Sequence, residues 1–400
     1  MTRRSLSLKA YLALTGGPVV RGGSVPAPDG ADVWMHAETT EAGRALARFA
    51  ARLSAQRPDL RLAATGTVPA SDDIAHWATP PERRGACDAF ARALSPGVGL
   101  WCGAPLRPAL LDSFHRQGTR LQLLDADGGP WHTPSPGWLP DLAPATLALF
   151  DMVHAVDESA ARQLRRTGVE TGRMRVSGPL HDAAPPQDVA DADHDTLAAR
   201  LAGRPVWLAA GLCADEAQSV MHAHRAALRM AHRLLLIAVP ATEADAMALA
   251  AAAAAEGLRS CAWDAGETPD ENTQVLLTEG PEMLALWYRL APLTFLGGSL
   301  TPGHPGLDPY TPASLGSAIL YGPQVGPHLA AYRALVEAGA ARIVRDAQSL
   351  SAAVSHLIAP DQAATMAHAG WSVVSAGAAL VDGVIADITA TLDTQKKDSP

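Results

Sequence analysis

The chain has 400 residues, 48% of them hydrophobic and 18% charged, with 32 Lys and Arg against 41 Asp and Glu for a formal net charge of −9. That is enough for two domains with separate cores and too apolar for wholesale disorder. The acidic balance excludes a nucleic-acid binder that relies on general phosphate attraction.

Four dispersed cysteines, Cys87, Cys102, Cys213 and Cys261, form no CxxC pair, so neither a zinc site nor a disulfide framework is expected and a reducing cytoplasm fits. The closest histidine pair, His222 and His224, would point to different faces of a helix, and no HExxH occurs, so no metal is expected. No run reaches the roughly 18 apolar residues of a spanning helix. The alanine-rich run 246–255 ends at Glu256 and Gly257 and reads as a helix with a glycine stop.

In chain order, the N-terminus sets Arg3, Arg4 and Lys9 around Leu6, Leu8, Tyr11 and Leu12, which reads as a first packing element, with docking on a membrane surface as the alternative. Short apolar runs at 33–36, 61–65, 98–101, 121–124, 152–155 and 174–176 then alternate with helix-period segments such as 41–54, 106–117 and 158–167. Residues 182–195, DAAPPQDVADADHD, have no apolar period and contain a Pro pair, so the domain linker is placed there. Alternation restarts with strands at 206–209, 234–239, 275–278, 293–296 and 319–321 and helices over 215–231, 243–256 and 282–290, and two helical stretches from 347 and 361 close the chain. The expectation is an α/β protein of two Rossmann-like domains, 1–185 and 196–400, whose parallel sheets leave a cleft between strand carboxyl ends.

The segment 295–323, FLGGSLTPGHPGLDPYTPASLGSAILYGP, carries the most chemistry. A strand running into Gly297-Gly298-Ser299 lets backbone amides approach a ligand and hold a phosphate without a basic side chain. A tight structural turn is the other reading. The basic cluster Arg162, Arg165 and Arg166 reads as a solvated helix face or a lipid-phosphate patch.

This segment resembles the C-domain signature of the transferases of 3-deoxy-D-manno-octulosonic acid (Kdo), with GGSL, then PASLG and YGPQ where the family has GGSL, GGHNPLEPAALG and GPH. VWMHAETTEA at 33–42, AATGT at 63–67, RVSGPL at 175–180, RPVWLAAG at 204–211 and EAGAARIVRDAQSLSAAV at 337–354 resemble further family segments in the same order. The resemblance implies a GT-B-like fold and transfer of Kdo or a related acidic sugar from a CMP-activated donor to a lipid A-type acceptor in lipopolysaccharide biosynthesis. The implied place is the cytoplasmic side of the inner membrane, bound peripherally, with no cofactor and no nucleic acid.

The same resemblance implies where the site lies. The family's general-base glutamate falls on Ala42, with Glu41 one residue earlier, so Glu41 is the candidate base and ordinary helix-dipole compensation is its other reading. His36, Glu38, Thr39 and Thr40 fall on the acceptor side, His36 also reading as a hydrogen-bonded core histidine. Gly297, Gly298, Ser299, Asp308, Gly322, Pro323 and Gln324 fall on the donor side. Several family groups are replaced: ETELWPN falls on residues 103–109 without either glutamate, an Arg-His pair on Ala241 and Thr242, and NPLE on residues 308–311. A non-catalytic paralogue that binds a sugar-lipid or a protein, and a transferase with a changed donor or acceptor, are the competing readings. If Glu41 is the base, the first helical turn is expected to keep its pKa low.

Overall fold

The computed structural model describes residues 6–15, 30–131, 142–180, 191–201, 203–278 and 280–398. The chain divides into two compact units, one of Met1–Asp182 with Ala376–Pro400, the other of Ala183–Ser375.

The first unit holds α1 (Leu6–Leu14), β1 (Val33–Ala37), α2 (Thr40–Gln56), β2 (Leu62–Gly66), β3 (Ile74–His76), α3 (Arg84–Leu94), β4 (Val98–Cys102), α4 (Pro108–Arg116), β5 (Arg120–Ala126), α5 (Ala143–Leu147), β6 (Met152–Ala155), α6 (Glu158–Arg166) and β7 (Met174–Val176). All neighbouring strands pair in parallel, in the order β3-β2-β1-β4-β5-β6-β7. Successive side chains leave a strand on opposite faces, so each strand feeds two cores. Trp34, Trp101, Leu121 and Leu123 join Phe90 and Phe114 on one face, while Val33, Met35, Leu100 and Leu124 join Leu46, Phe49 and Leu53 on the other. Thr39 caps α2 by accepting from the Ala42 amide at 3.3 Å. Gly43 lets this helix lie against the loop after β2, because a Cβ there would collide with the Thr67 carbonyl.

The second unit runs α7 (Asp191–Leu201), β8 (Val206–Leu212), α8 (Ala214–Ala227), β9 (Leu235–Pro240), α9 (Glu243–Ala255), β10 (Ser260–Ala262), β11 (Val275–Leu277), α10 (Leu284–Leu290), β12 (Leu293–Leu296), α11 (Tyr310–Ser314), β13 (Ala318–Tyr321), α12 (Leu329–Glu337), β14 (Ala341–Ile343), α13 (Ala347–Leu357) and the start of α14 (Pro360–Asp398), whose residues from Ala376 belong to the first unit. Its parallel sheet has the order β10-β11-β9-β8-β12-β13-β14. Trp207, Leu236 and Phe295 pack on one face, and Leu208, Ile237 and Ile319 on the other. His224 is a core residue, taking a hydrogen bond from Trp207 Nε1 at 3.0 Å and donating to the Gln274 carbonyl at 2.9 Å, whereas His222 faces solvent. In the first sheet the winding reverses once, between β1 and β4; in the second, β11 inserts between β9 and the edge strand β10, and the crossover to the other half of the sheet lies between β8 and β12. Ligand crevices open at such switch points.

Three expectations need correction. The second domain does not run to residue 400: Leu380, Val381, Val384, Ile385, Ile388 and Leu392 of α14 pack in the first unit's core, and Asp382 and Asp393 pair with Arg52 and Arg57 of that unit at 2.5 and 3.4 Å. The helical three-and-four spacing of those six residues forms one apolar stripe that must be buried. Among the described residues, Pro360–Lys396 is also long enough to cross a membrane and contains an 18-residue window apolar enough to do so, with a mean hydropathy of 1.6, contrary to the sequence expectation. Valine, isoleucine and leucine spaced among alanines, and interrupted by Asp382 and Asp387, give it that value without a long apolar run. Finally, residues 191–195 of the expected linker begin α7, while 182–190 lie outside the described residues, as do Arg3 and Arg4.

Candidate active site

Where β1 ends, the chain delivers His36, Glu38 and the first turn of α2 to the β1/β4 switch point. His36 is fully buried, its ring centroid 4.1 Å from that of Trp101. Its Nδ1 lies 2.6 Å from Thr65 Oγ1 and its Nε2 3.1 Å from Glu38 Oε1. Burial holds the imidazole pKa below its ordinary value against the opposing pull of Glu38. Glu38 in turn is lowered by that hydrogen bond, against the effect of burial. Arg107 Nη1 stands 3.7 Å from Glu38 and its Nε 3.3 Å from Glu82 Oε2, and the other Glu82 oxygen accepts from the Ala109 amide at 2.6 Å at the start of α4. His36 and Glu38 therefore belong to a neutral-histidine, carboxylate and guanidinium network whose members have partners. Thr39 serves as the helix cap, and Thr40 is exposed.

Glu41 lies in the first turn of α2 and is exposed. Its pKa is raised, contrary to expectation: loss of solvent around the carboxyl outweighs the opposing charge of Arg44 and the favourable end of the helix. Its charge acts on Asp125, the C-terminal part of β5. Asp125 has a positive φ of 52° and accepts hydrogen bonds from the Leu180 amide and, at 3.3 Å, from the Cys102 thiol. Burial first, then Glu41 and Asp127, push its carboxyl up to about 6 despite those donors. Two carboxyl groups with raised pKa values thus neighbour each other at the carboxyl ends of the first sheet.

In the second unit the glycine turn follows the second of its two sequence readings, a tight structural turn. Gly297, Gly298 and Ser299 are buried, and the Gly298, Ser299 and Leu300 amides donate to the carboxyl of Glu216 at 2.7, 3.0 and 2.7 Å. The Gly297 amide donates to the Ala210 carbonyl at 2.8 Å. Ser299 Oγ donates to the Leu296 carbonyl and accepts from the Gly322 amide. The amides expected to meet a phosphate are therefore already satisfied inside the protein, and Gly322 is enclosed with them. Asp308 is half-buried and caps the Tyr310 amide at 3.0 Å. Pro323 is exposed, and the Gln324 amide donates to the Ser299 carbonyl at 2.8 Å, leaving its half-buried side chain at the loop after β13.

The residues missed from the sequence are mostly those paired over long separations. Glu216 meets a turn more than eighty positions later, and Asp215 and Cys213 come together at the same end of the sheet with His304, which the sequence reading weighs beside Asp308 for the donor side. Burial and the neighbouring carboxyls push the Cys213 thiol up to about 12. A local signal existed for Asp125, an acidic residue ending an apolar strand before Gly128 and Gly129.

Residues 15–183 match the family model described as 3-deoxy-D-manno-octulosonic-acid transferase (kdotransferase). The chain is 22% identical over 363 residues to the 3-deoxy-D-manno-octulosonic acid transferase of Haemophilus influenzae, covering 88% of this chain and 84% of that protein. Among solved structures, it is similar to MurG of Acinetobacter baumannii, with 14% identity, a TM-score of 0.51 and coverage of 88% of this chain and 98% of that one. It is also similar to the UDP-GlcNAc 2-epimerase of Neisseria meningitidis bound to UDP-GlcNAc, with 11% identity, a TM-score of 0.50 and coverage of 88% and 99%. Those structural likenesses carry the fold, two Rossmann-like parallel-sheet domains of GT-B type.

Proposed function

We propose, from its similarity to Kdo transferases, that this chain is a glycosyltransferase that moves Kdo or a related acidic sugar from a CMP-activated donor to a lipid A-type acceptor. In this reading it works in lipopolysaccharide biosynthesis at the cytoplasmic surface of the inner membrane, held there peripherally. The observation that carries the catalytic part is Glu41, an exposed carboxyl with raised pKa in the first turn of α2 at the β1/β4 switch point. A pKa moved towards the working pH makes a carboxylate a better proton acceptor. Glu41 takes the proton of the acceptor hydroxyl as that oxygen bonds to the anomeric carbon, and the bond from that carbon to the CMP phosphate breaks with its electron pair leaving on CMP. Glu38 is a poorer base, since His36 and Arg107 hold its pKa down. With the Gly298–Leu300 amides engaged, donor contacts fall to Asp308, Pro323 and Gln324.

Glu41→Gln should lower transfer from CMP-Kdo to a lipid A precursor by at least about 100-fold, while calorimetry shows donor binding nearly unchanged; Glu38→Gln should do much less. Equal turnover in the Glu41→Gln protein would remove the assignment. The closed amide turn favours one competing reading, a non-catalytic binding module, and donor binding without product in the unsubstituted protein would establish it.

A further inference from the structure

Cys213 follows β8 as the N-cap residue of α8, Asp215 lies in the first turn of that helix, and His304 sits in the loop after β12. Their donor atoms, Cys213 Sγ, a carboxylate oxygen of Asp215 and an imidazole nitrogen of His304, all lie within 4.8 Å of one another. We infer that these three side chains form a zinc-binding site. A thiolate, an imidazole and a carboxylate make the mixed donor set that a borderline-soft divalent zinc ion takes, and three protein ligands leave a fourth, tetrahedral position for water.

The surroundings orient the donors for this role. Asp215 Oδ2 accepts the Thr301 hydroxyl at 2.8 Å, which leaves Oδ1 turned to His304 Nε2 at 3.5 Å. Asp245 is near but engaged, one oxygen accepting the Ala214 amide at 2.9 Å and the other the Thr242 amide and hydroxyl at 3.1 and 2.6 Å. It acts as an outer charge, and water takes the fourth place. The groups acting most on the Cys213 thiol electrostatically are Glu216, Asp245 and Asp215, all acidic. A dication offsets that concentration of like charge. On binding, the thiol releases its proton to solvent as the sulfur–zinc bond forms.

The site clasps the β8–α8 junction to the loop that follows the Gly297-Gly298 turn, and it stands independently of the proposed transfer reaction. The test uses the full chain, stripped by a chelator and titrated with zinc against a chromophoric competitor, and then with cobalt as a spectroscopic probe. One equivalent of zinc should bind, and the cobalt form should show sulfur-to-metal charge transfer with tetrahedral visible bands. Cys213→Ser should abolish the charge-transfer band, and His304→Gln should weaken zinc at least about 10-fold, while His368→Gln, which alters α14 elsewhere, binds as the unsubstituted protein does. Should Cys213→Ser fail to fold by circular dichroism, His304→Gln at its half-buried loop position carries the same comparison. Absence of stoichiometric binding, or zinc affinity unchanged in His304→Gln, overturns the proposal.

Discussion

Asp125 combines a left-handed backbone with a carboxyl raised from 3.8 to about 6. Asp and Asn tolerate that backbone better than most side chains. A folded-state pKa above the unfolded one gives a contribution to stability that is complete below pH about 4 and is lost as pH rises through about 6. Ionised Asp125 therefore weakens the fold at neutral pH. Asp125→Asn keeps an acceptor for the Leu180 amide and the same backbone tolerance but removes the charge. Urea unfolding should find it more stable than the unsubstituted protein at pH 7, by about 1 kcal/mol, with the advantage gone near pH 4. At this scale the sequence placed Glu41 in the first turn of a helix, where the structure has it, through a resemblance in the surrounding segment. It could not show how Glu41 titrates, because that depends on loss of solvent imposed by residues distant along the chain.

Between elements, Glu216 joins the first turn of α8 to the turn after β12, taking the Cys213 amide at 3.4 Å together with those of Gly298, Ser299 and Leu300. Removing the carboxyl leaves several buried donors with no acceptor, each at a cost of about 1–3 kcal/mol before water enters. Glu216→Ala should therefore lose at least about 3 kcal/mol in a denaturant titration. An unchanged midpoint would mean that the turn does not depend on this carboxyl. Interior strands such as β4 and β8 were legible because both faces are buried and the apolar run is continuous. Strands β3, β10 and β14 were not: each has three residues and lies towards a sheet margin, and in β14 Ala341 is buried while Arg342 and Ile343 face outward. Neither length nor alternation distinguishes such a segment from a loop. The glycine turn left two readings open for a related reason, since the side chain that closes its amides belongs to a different helix.

At the scale of the molecule, two alternating α/β halves could be read from the order of apolar runs, but the return of α14 to the first unit could not. Its stripe of six buried residues, Leu380, Val381, Val384, Ile385, Ile388 and Leu392, covers the face formed by Val33, Met35 and Leu100. At roughly 1.5–3 kcal/mol for each fully buried large side chain, that cover is worth on the order of 10 kcal/mol, comparable with the whole stability of a typical domain. Deleting residues 376–400 should abolish protection of β1 and β4 amides in hydrogen exchange; persistence of that protection would show that the face has another cover. The arrangement also sets an order in time. A ribosome finishes every residue of the second unit before it makes the stripe that completes the first. The half synthesised first must therefore wait for the half synthesised second, and nascent chains halted before residue 376 should remain open to protease around β1 after emerging from the exit tunnel, whereas chains extended past residue 392 by a tether should close.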